Sequence, residues 1–195
     1  KLKGHYLDTK HPSIIENILG IKRRKGSIQK GKKPILINNL KQIINVIDED
    51  NNEEIKKSRD RSILLIGFSG GFRRTELVSL DYDDLDFVTE GVKINLKRSK
   101  TDQFGEGSTK ALPYFDNSKY CPVLSLKNWI KLTNIKSGPL FRRFAKGSKL
   151  TINRLTDQTV ALLIKKYLKL AGIESKNYSG HSLRSGFATS AAESG

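Results

Sequence analysis

The sequence has 195 residues, a formal net charge of +16 and 36% hydrophobic residues. This length and composition fit one domain with a real core, or one domain plus a piece of another, and no apolar run approaches the ~18 residues of a membrane span. So large a positive charge repels itself and predicts a polyanionic partner, nucleic acid, although a merely soluble basic surface is the alternative. One cysteine, Cys121, excludes an internal disulfide and a cysteine-built zinc site.

The same composition carries expectations about origin. Methionine is absent and the chain begins at Lys1, so we expect an excised piece of a longer protein. No secretory signal pattern stands at the start, and the single cysteine fits a reducing, cytoplasmic compartment. Frequent lysine, isoleucine and asparagine favour an AT-rich bacterial or phage genome.

Residues 1–34 are the most basic stretch. A short helix is expected over IIENILGI, with Pro12 near its start. The segment KRRKGSIQKGKKP is charged and dotted with glycine, which predicts a linker that touches phosphates, the alternative being a disordered, solvated tail. The residues expected to contact DNA there are Lys22, Arg23, Arg24, Lys25, Lys30, Lys32 and Lys33.

Helical periodicity follows in residues 37–48, with Asn38 or Asn39 as the expected cap. Its apolar stripe consists of Leu40, Ile43, Ile44 and Ile47. A second helix, residues 55–69, is apolar on most faces and therefore buried, and Gly70-Gly71 ends it. FRRTELVSL then predicts a third, short helix.

The rest of the chain predicts a small sheet and three more helices. DYDDLDF is expected as a turn, VKINL alternates like a strand, and KALPY is its expected antiparallel partner. Residues 123–133 and 156–171 have helical patterns. The last helix is expected to begin after Ser179-Gly180 and to bury Leu183, Phe187 and Ala191. The predicted fold class is mixed, mainly α with a small antiparallel β-sheet.

Two pairs of side chains suggest chemistry. His181 and Arg184 share a helix face, where arginine can clamp phosphate oxygens and histidine can move a proton near neutral pH. Arg73 follows a glycine pair, and Glu76 is placed to hold an arginine by a charged hydrogen bond. Seen alone, each pair is more simply read as an ordinary surface pair.

A third group lies in the predicted hairpin loop. Lys97, Arg98 and Lys100 cluster there, and a lysine whose pKa is lowered by burial or by nearby positive charge can act as a general acid. The simpler alternative is a solvated basic loop that takes no part in chemistry.

In this order, GFRRTEL, SKTDQ and HSLRSGFAT resemble the three catalytic motifs of the tyrosine recombinases, the phage-integrase family. The resemblance points to Arg73, Lys100, His181 and Arg184 as catalytic residues, with Glu76 in support and Lys97 and Arg98 among the DNA contacts. It covers roughly residues 35–195 as the catalytic domain, C-terminally incomplete. Residues 1–34 would be the end of a DNA-clasping core-binding domain and a basic linker.

The family's reaction explains these residue types. A tyrosine attacks a backbone phosphate of double-stranded DNA and forms a 3′-phosphotyrosyl link, and the arginines neutralise the charge that builds up. The lysine protonates the leaving 5′-oxygen, and the histidine assists proton transfer. The resemblance therefore implies DNA recombination or integration with no metal, no cofactor and no membrane, by a homo-tetramer on paired sites.

The sequence departs from the family pattern after the last motif. The family places a His or Trp and then the nucleophilic tyrosine there, but the 11 residues after Arg184 contain none of these. Tyr178 lies before the motif and is expected to pack beside the helix, so the chain as given should bind DNA without cleaving it. The alternatives are a non-catalytic DNA-binding relative and a type IB topoisomerase, which shares this chemistry.

Overall fold

The computed structural model describes residues 8–26, 31–97, 107–116 and 118–193. The chain divides into two compact units, residues 1–31 and 32–195. No helix in the described part of either unit is long and apolar enough to cross a bilayer.

The described part of the first unit is built around helix α1 (Pro12–Lys25), which begins with a proline in its first turn. The last turn of α1 contains Lys22 to Lys25. The prediction that a linker begins at Lys22 is therefore wrong. Cations are favoured at the carboxyl end of a helix, and the helix continues until Gly26, where φ is +68°.

The second unit contains six helices and five strands in its described residues. The helices are α2 (Ile37–Glu49), α3 (Glu54–Ser69), α4 (Arg74–Ser79), α5 (Pro122–Thr133), α6 (Asp157–Leu170) and α7 (Ser182–Glu193). The strands are β1 (Leu85–Val88), β2 (Gly91–Leu96), β3 (Ser108–Pro113), β4 (Arg142–Phe144) and β5 (Leu150–Arg154). The mainly helical prediction with a small antiparallel sheet is confirmed.

Helix α3 runs through the centre of this unit. Its residues from Ile63 to Ile66 are at most 1% exposed, as the apolar run predicts. Near its start the buried pair Arg59 and Asp60 is satisfied internally, because the Tyr167 hydroxyl of α6 donates to the Asp60 carboxylate at 2.8 Å. The axis of α3 is thereby fixed at one end by polar contacts and along its length by apolar packing.

The strands form two antiparallel sheets. β1, β2 and β3 pair in sequence order, and Ile94 lies between Leu85 and Lys110. The β2–β3 hairpin is confirmed, but sequence reasoning did not predict β1, β4 or β5. DYDDLDF is a short 3₁₀ turn (Tyr82–Asp84) followed by β1, so its prediction as a turn is only partly right.

Two further details differ from the sequence predictions. Helix α2 begins after Leu36, and no side chain caps it, so Asn38 and Asn39 lie within the helix. In α7 the buried residues include Leu183, Gly186 and Ser190, whereas Phe187 is 39% exposed and Ala191 is exposed.

A close backbone approach joins the beginning of the second unit to α7. The segment before α2 lies against α7: the Ile35 amide donates to the Ser182 carbonyl at 2.9 Å, and the Lys33 amide donates to the Asn177 carbonyl at 2.8 Å. A Cβ at Gly186 would lie 1.9 Å from the Ile35 carbonyl oxygen. The glycine of α7 therefore lets the two backbones meet immediately before α2 begins.

Helix α4 begins with a charged cap. The backbone amide of Arg73 donates to Glu76 at 2.9 Å, and the Arg73 guanidinium donates to the same carboxylate at 2.6 Å. Burial by itself raises the pKa of Glu76, but the hydrogen bonds from Arg73 and the charges of Arg73 and Arg184 hold that pKa below its ordinary value of 4.5.

Substitution of Gly186 by alanine tests the close approach. Because backbone atoms must shift to admit the new methyl group, we expect Gly186→Ala to lower the free energy of unfolding by about 1–3 kcal/mol in urea denaturation. Ser185→Ala is the control in the same helix, since its hydroxyl donates to the carbonyls of His181 and Ser182 in its own turn. An unchanged unfolding midpoint for Gly186→Ala would contradict the close approach.

Glu76→Gln tests the charged cap through its pH dependence. The depressed pKa means that ionised Glu76 stabilises the fold above pH 4.5 and that this stabilisation is lost as the pH falls through the lower folded value. We expect Glu76→Gln to cost about 1–2 kcal/mol at neutral pH and progressively less in acid. The control is Glu54→Gln, which removes a 59% exposed carboxylate also paired at i,i+3 and should change stability little. A pH-independent difference would argue against the charged cap.

Candidate functional site

The site is built on the turn that ends α3. The Phe72 amide donates to the Gly67 carbonyl at 3.0 Å, and the Gly71 amide donates to the Phe68 carbonyl at 2.9 Å. These two bonds form a Schellman motif, and Gly71 occupies its left-handed position with φ of +55°. The chain turns sharply at this point, and Arg73 follows the turn as the residue before α4.

The glycine pair is needed for close packing as well as for conformation. A Cβ at Gly70 would lie 2.2 Å from the ring of Phe72, and one at Gly71 would lie 2.9 Å from the ring of Phe187. Phe187 also packs edge-on against Phe68, with 6.4 Å between ring centroids. The turn is therefore enclosed by aromatic rings from its own segment of chain and from α7.

Two cationic side chains bind the carbonyls of this turn. The Arg184 guanidinium of α7 donates to the Gly71 carbonyl at 2.8 Å, and the Lys110 amine of β3 donates to the Gly70 carbonyl at 2.7 Å. Carbonyls at the end of a helix carry partial negative charge, so cations are favourable there. Three separate segments, the turn, β3 and α7, are thus joined at one point.

The charges of this cluster act on one another. Arg184 contributes to lowering the pKa of Glu76, which is 5% exposed. Burial lowers the pKa of Lys110, Glu76 opposes that shift, and Arg184 and Arg73 add to it. The structure therefore brings together Arg73, Glu76 and Arg184 as the sequence predicted, and adds Lys110.

His181 lies one residue before α7 and is exposed. Its backbone amide donates to the Ser179 hydroxyl at 3.3 Å, and the Ser182 hydroxyl accepts the Ser179 amide at 2.9 Å. These local bonds hold the segment that leads into the helix, with His181 immediately before α7 and Arg184 in its first turn. The structure places the histidine at the surface, three residues before Arg184, and not inside the core.

Arg74, the neighbour of Arg73, faces a different part of the protein. A Cβ at Gly180 would lie 1.8 Å from the Arg74 side chain, so the stem of Arg74 packs directly on the backbone before His181. Its guanidinium lies 3.9 Å from the Asp157 carboxylate of α6. The two adjacent arginines thus contact different segments. Arg73 binds Glu76 after the turn that ends α3, and Arg74 packs on the backbone at Gly180, just before His181.

Several predicted residues lie away from this cluster or outside the described residues. Lys100, Arg98 and Lys30 are outside the described residues. Lys97 forms ion pairs with Asp84 at 2.9 Å and Asp81 at 3.4 Å. The remaining predicted DNA contacts are the exposed residues Lys22, Arg23, Arg24 and Lys25 of α1, and Lys32 and Lys33.

Tyr178 is 8% exposed and forms part of the hydrophobic core. This burial agrees with its expected packing beside the start of α7. Lys110 was not singled out from the sequence. A signal was available in KALPY, because Lys110 and Leu112 are two residues apart and therefore share one face of the strand. A lysine on the face of a buried leucine is unusual, since an apolar residue is expected at that position.

The sequence of this chain is similar to sequences of known proteins. A sequence model described as the phage integrase family matches residues 35–195. The chain is 40% identical over 190 residues to the integrase/recombinase XerD homolog of Selenomonas ruminantium, covering 97% of this chain and 55% of that relative. The chain spans about half or less of the length of the curated relatives it matches.

Solved structures share the fold at low sequence identity. The XerH site-specific recombinase bound to difH substrate matches with a TM-score of 0.64 at 19% identity, over 85% of this chain and 44% of that chain. A lambda integrase tetramer bound to a Holliday junction matches with a TM-score of 0.58 at 13% identity, over 91% and 51% of the two chains. These likenesses show the fold, and the family match across residues 35–195 together with the 40% identical relative shows that the chain belongs to the phage integrase family of tyrosine recombinases.

Proposed function

We propose that the protein is a site-specific tyrosine recombinase that cuts and rejoins double-stranded DNA through a 3′-phosphotyrosyl intermediate. The observation that carries the proposal is the meeting of Arg73, Arg184 and Lys110 around the single turn that ends α3, with Glu76 as their acidic partner. Because these three cationic side chains outnumber the single carboxylate of Glu76, the cluster carries a net positive charge that attracts an anion. A DNA phosphate has the charge and the oxygen geometry that arginines bind.

Each residue has a role in this proposal. The guanidinium groups of Arg73 and Arg184 neutralise the non-bridging oxygens as the pentacovalent phosphate forms. Glu76 and the Gly71 carbonyl already hold these groups, so little reorganisation is required. His181, exposed at the start of α7, assists proton transfer, and Lys100 supplies the proton to the 5′-oxygen that leaves.

The reaction conserves the energy of the phosphodiester. The tyrosine oxygen forms a bond to phosphorus as the bond to the 5′-oxygen breaks, and the 5′-hydroxyl of another strand later reverses the step. Recombination also needs two DNA sites held together. Four copies on paired sites are part of the proposal, supported by the lambda integrase tetramer on a Holliday junction among the proteins of this fold.

DNA affinity is proposed to come mainly from exposed basic residues in each of the two units. The exposed cations Lys22 to Lys25 end α1, and Lys32 and Lys33 open the second unit. Contacts of this kind bind the phosphate backbone without reading bases, so they position the protein and leave sequence selection to other contacts.

Salt titration of DNA binding tests this electrostatic part. We expect the affinity of the 195-residue chain for a duplex to fall steeply between about 50 and 200 mM salt, because each phosphate contact releases counterions. Replacing Lys22, Arg23, Arg24 and Lys25 by glutamine should flatten the plot of log affinity against log salt by about 0.9 for each phosphate that is no longer neutralised.

Lys97→Gln is the control variant. The amine of Lys97 is already paired with Asp84, so we expect its loss to change the salt dependence of DNA binding less than the loss of an unpaired cation. Fluorescence anisotropy at several salt concentrations measures all of these slopes. Affinity that does not change with salt would argue against backbone binding.

Trapping of the covalent intermediate tests the catalytic part. In a form of the protein that carries a tyrosine beyond the His-x-x-Arg motif, we expect a protein–DNA adduct that survives detergent on a nicked suicide substrate. Arg184→Ala should reduce adduct formation by at least about 100-fold, because the guanidinium no longer stabilises the transition state, while much of the DNA affinity remains. Undiminished adduct would remove Arg184 from the active site.

The 195-residue chain is the matched control, and we expect it to bind DNA without forming an adduct. Because Tyr178 is buried, we do not expect it to attack DNA. If the 195-residue chain formed an adduct and Tyr178→Phe abolished it, Tyr178 would be the nucleophile. DNA relaxation without strand exchange between two sites would instead favour the topoisomerase alternative. Binding with no adduct in any form would favour a non-catalytic DNA-binding relative.

A further inference from the structure

Lys110 occupies an unusual position for a lysine. In the β2–β3 pairing it lies opposite Ile94, and Leu112 lies opposite Val92. Cross-strand partners extend to the same face of a sheet, and Val92, Ile94 and Leu112 are all at most 3% exposed. Lys110 therefore belongs to the buried face of β3, where an apolar residue would be less costly.

The amine of Lys110 reaches one specific target. It donates to the Gly70 carbonyl at 2.7 Å and lies 5.1 Å from the ring centroid of Phe72. Both partners belong to the turn between the end of α3 and Arg73. A cation over an aromatic face and a hydrogen bond to a helix-end carbonyl are both attractive, and here one side chain makes both interactions.

The electrostatic surroundings of this amine disfavour its charged form on balance. Desolvation lowers the pKa of Lys110, and the charges of Arg184 and Arg73 lower it further against the opposing effect of Glu76. A lysine at this position is energetically unfavourable, yet its amine makes two specific contacts. Proteins tolerate such locally unfavourable residues mainly at functional sites.

We propose that Lys110 is a positioning residue for phosphoryl transfer, fixing the Gly70–Phe72 turn so that Arg73 enters the site in a single orientation. Arg184 holds the next carbonyl of the same turn from the opposite element, so the turn is held from both sides. The inference rests on the proposed function, because Arg73 must engage a phosphate for its orientation to matter. Lys110 acts through Arg73 and is distinct from the proton-donating role proposed for Lys100.

Hydrogen exchange on the 195-residue chain tests the positioning without any reaction. Lys110→Met keeps the apolar stem and removes the donor, and we expect the amides of Gly71 and Phe72 to exchange about tenfold faster or more, as the turn opens locally. Lys110→Arg restores a donor and should restore much of the protection. Lys93→Met is the matched control, a lysine on β2 that is exposed on the other face of the same sheet. Unchanged exchange in Lys110→Met would overturn the proposal.

Kinetics of adduct formation test the route through Arg73, in the tyrosine-bearing form. We expect Lys110→Met to slow adduct formation by about 10- to 100-fold, as small misplacements of catalytic groups do, and Lys110→Arg to recover most of the rate. In an Arg73→Lys background, Lys110→Met should slow the reaction little further, because its effect depends on the arginine. Fully multiplicative effects would show that Lys110 acts independently of Arg73 and would overturn the positioning role.

The two failures can be told apart. If the unsubstituted protein and Lys93→Met form no adduct, the proposed function fails, and the exchange experiment still decides whether Lys110 fixes the turn. If both form adduct and Lys110→Met forms it equally fast, the proposed function stands and the role of Lys110 is overturned.

Discussion

A helix that is buried on almost every face must satisfy its last carbonyl groups inside the protein. Helix α3 meets this constraint with a tight turn of two glycines and with two cationic side chains that bind the carbonyls of that turn. The bonds that complete the helix therefore also gather positive charge from β3 and α7 beside Arg73. The end of a structural helix and the proposed phosphate site depend on the same few interactions.

The buried carboxylate of Glu76 makes this arrangement rigid. An exposed arginine–glutamate pair contributes little, because water competes and both side chains must be ordered. Glu76 is 5% exposed and accepts both the backbone amide and the guanidinium of Arg73, so the arginine is oriented before any ligand arrives. Preorganised charge of this kind is the main means by which proteins stabilise an anionic transition state.

Local patterns in the sequence predicted most of the fold and part of the site. The apolar stripe of α2, the helical patterns of α5 and α6 and the alternation of β2 were sufficient, because long periodic segments carry a clear signal. Strands β4 and β5 have three and five residues and contain several charged or polar ones, so no periodicity marked them. The start of α2 at Ile37 was predicted correctly from its apolar stripe, but its asparagine cap was not, because no side chain caps this helix.

The same distinction applies to the site. The pair formed by Arg73 and Glu76 lies within one helical turn, and sequence spacing alone predicted that it could form. The hydrogen bond from Lys110 to Gly70 joins residues 40 positions apart, and only the strand register brings them together. Short-range pairs can thus be predicted from spacing, whereas interactions that cross between a sheet and a helix end depend on the assembled fold.

The close approach of Ile35 to α7 has a consequence for dissecting the protein. The chain enters the second unit by hydrogen bonding to the segment that carries His181 and Arg184, at Asn177 and Ser182. A fragment cut at Ile37, where the first helix of this unit begins, would lack the backbone for which the glycine of α7 leaves room. The structural boundary of this unit therefore lies upstream of its first helix, because the short segment before α2 packs against α7 and forms hydrogen bonds with it and with the turn before it.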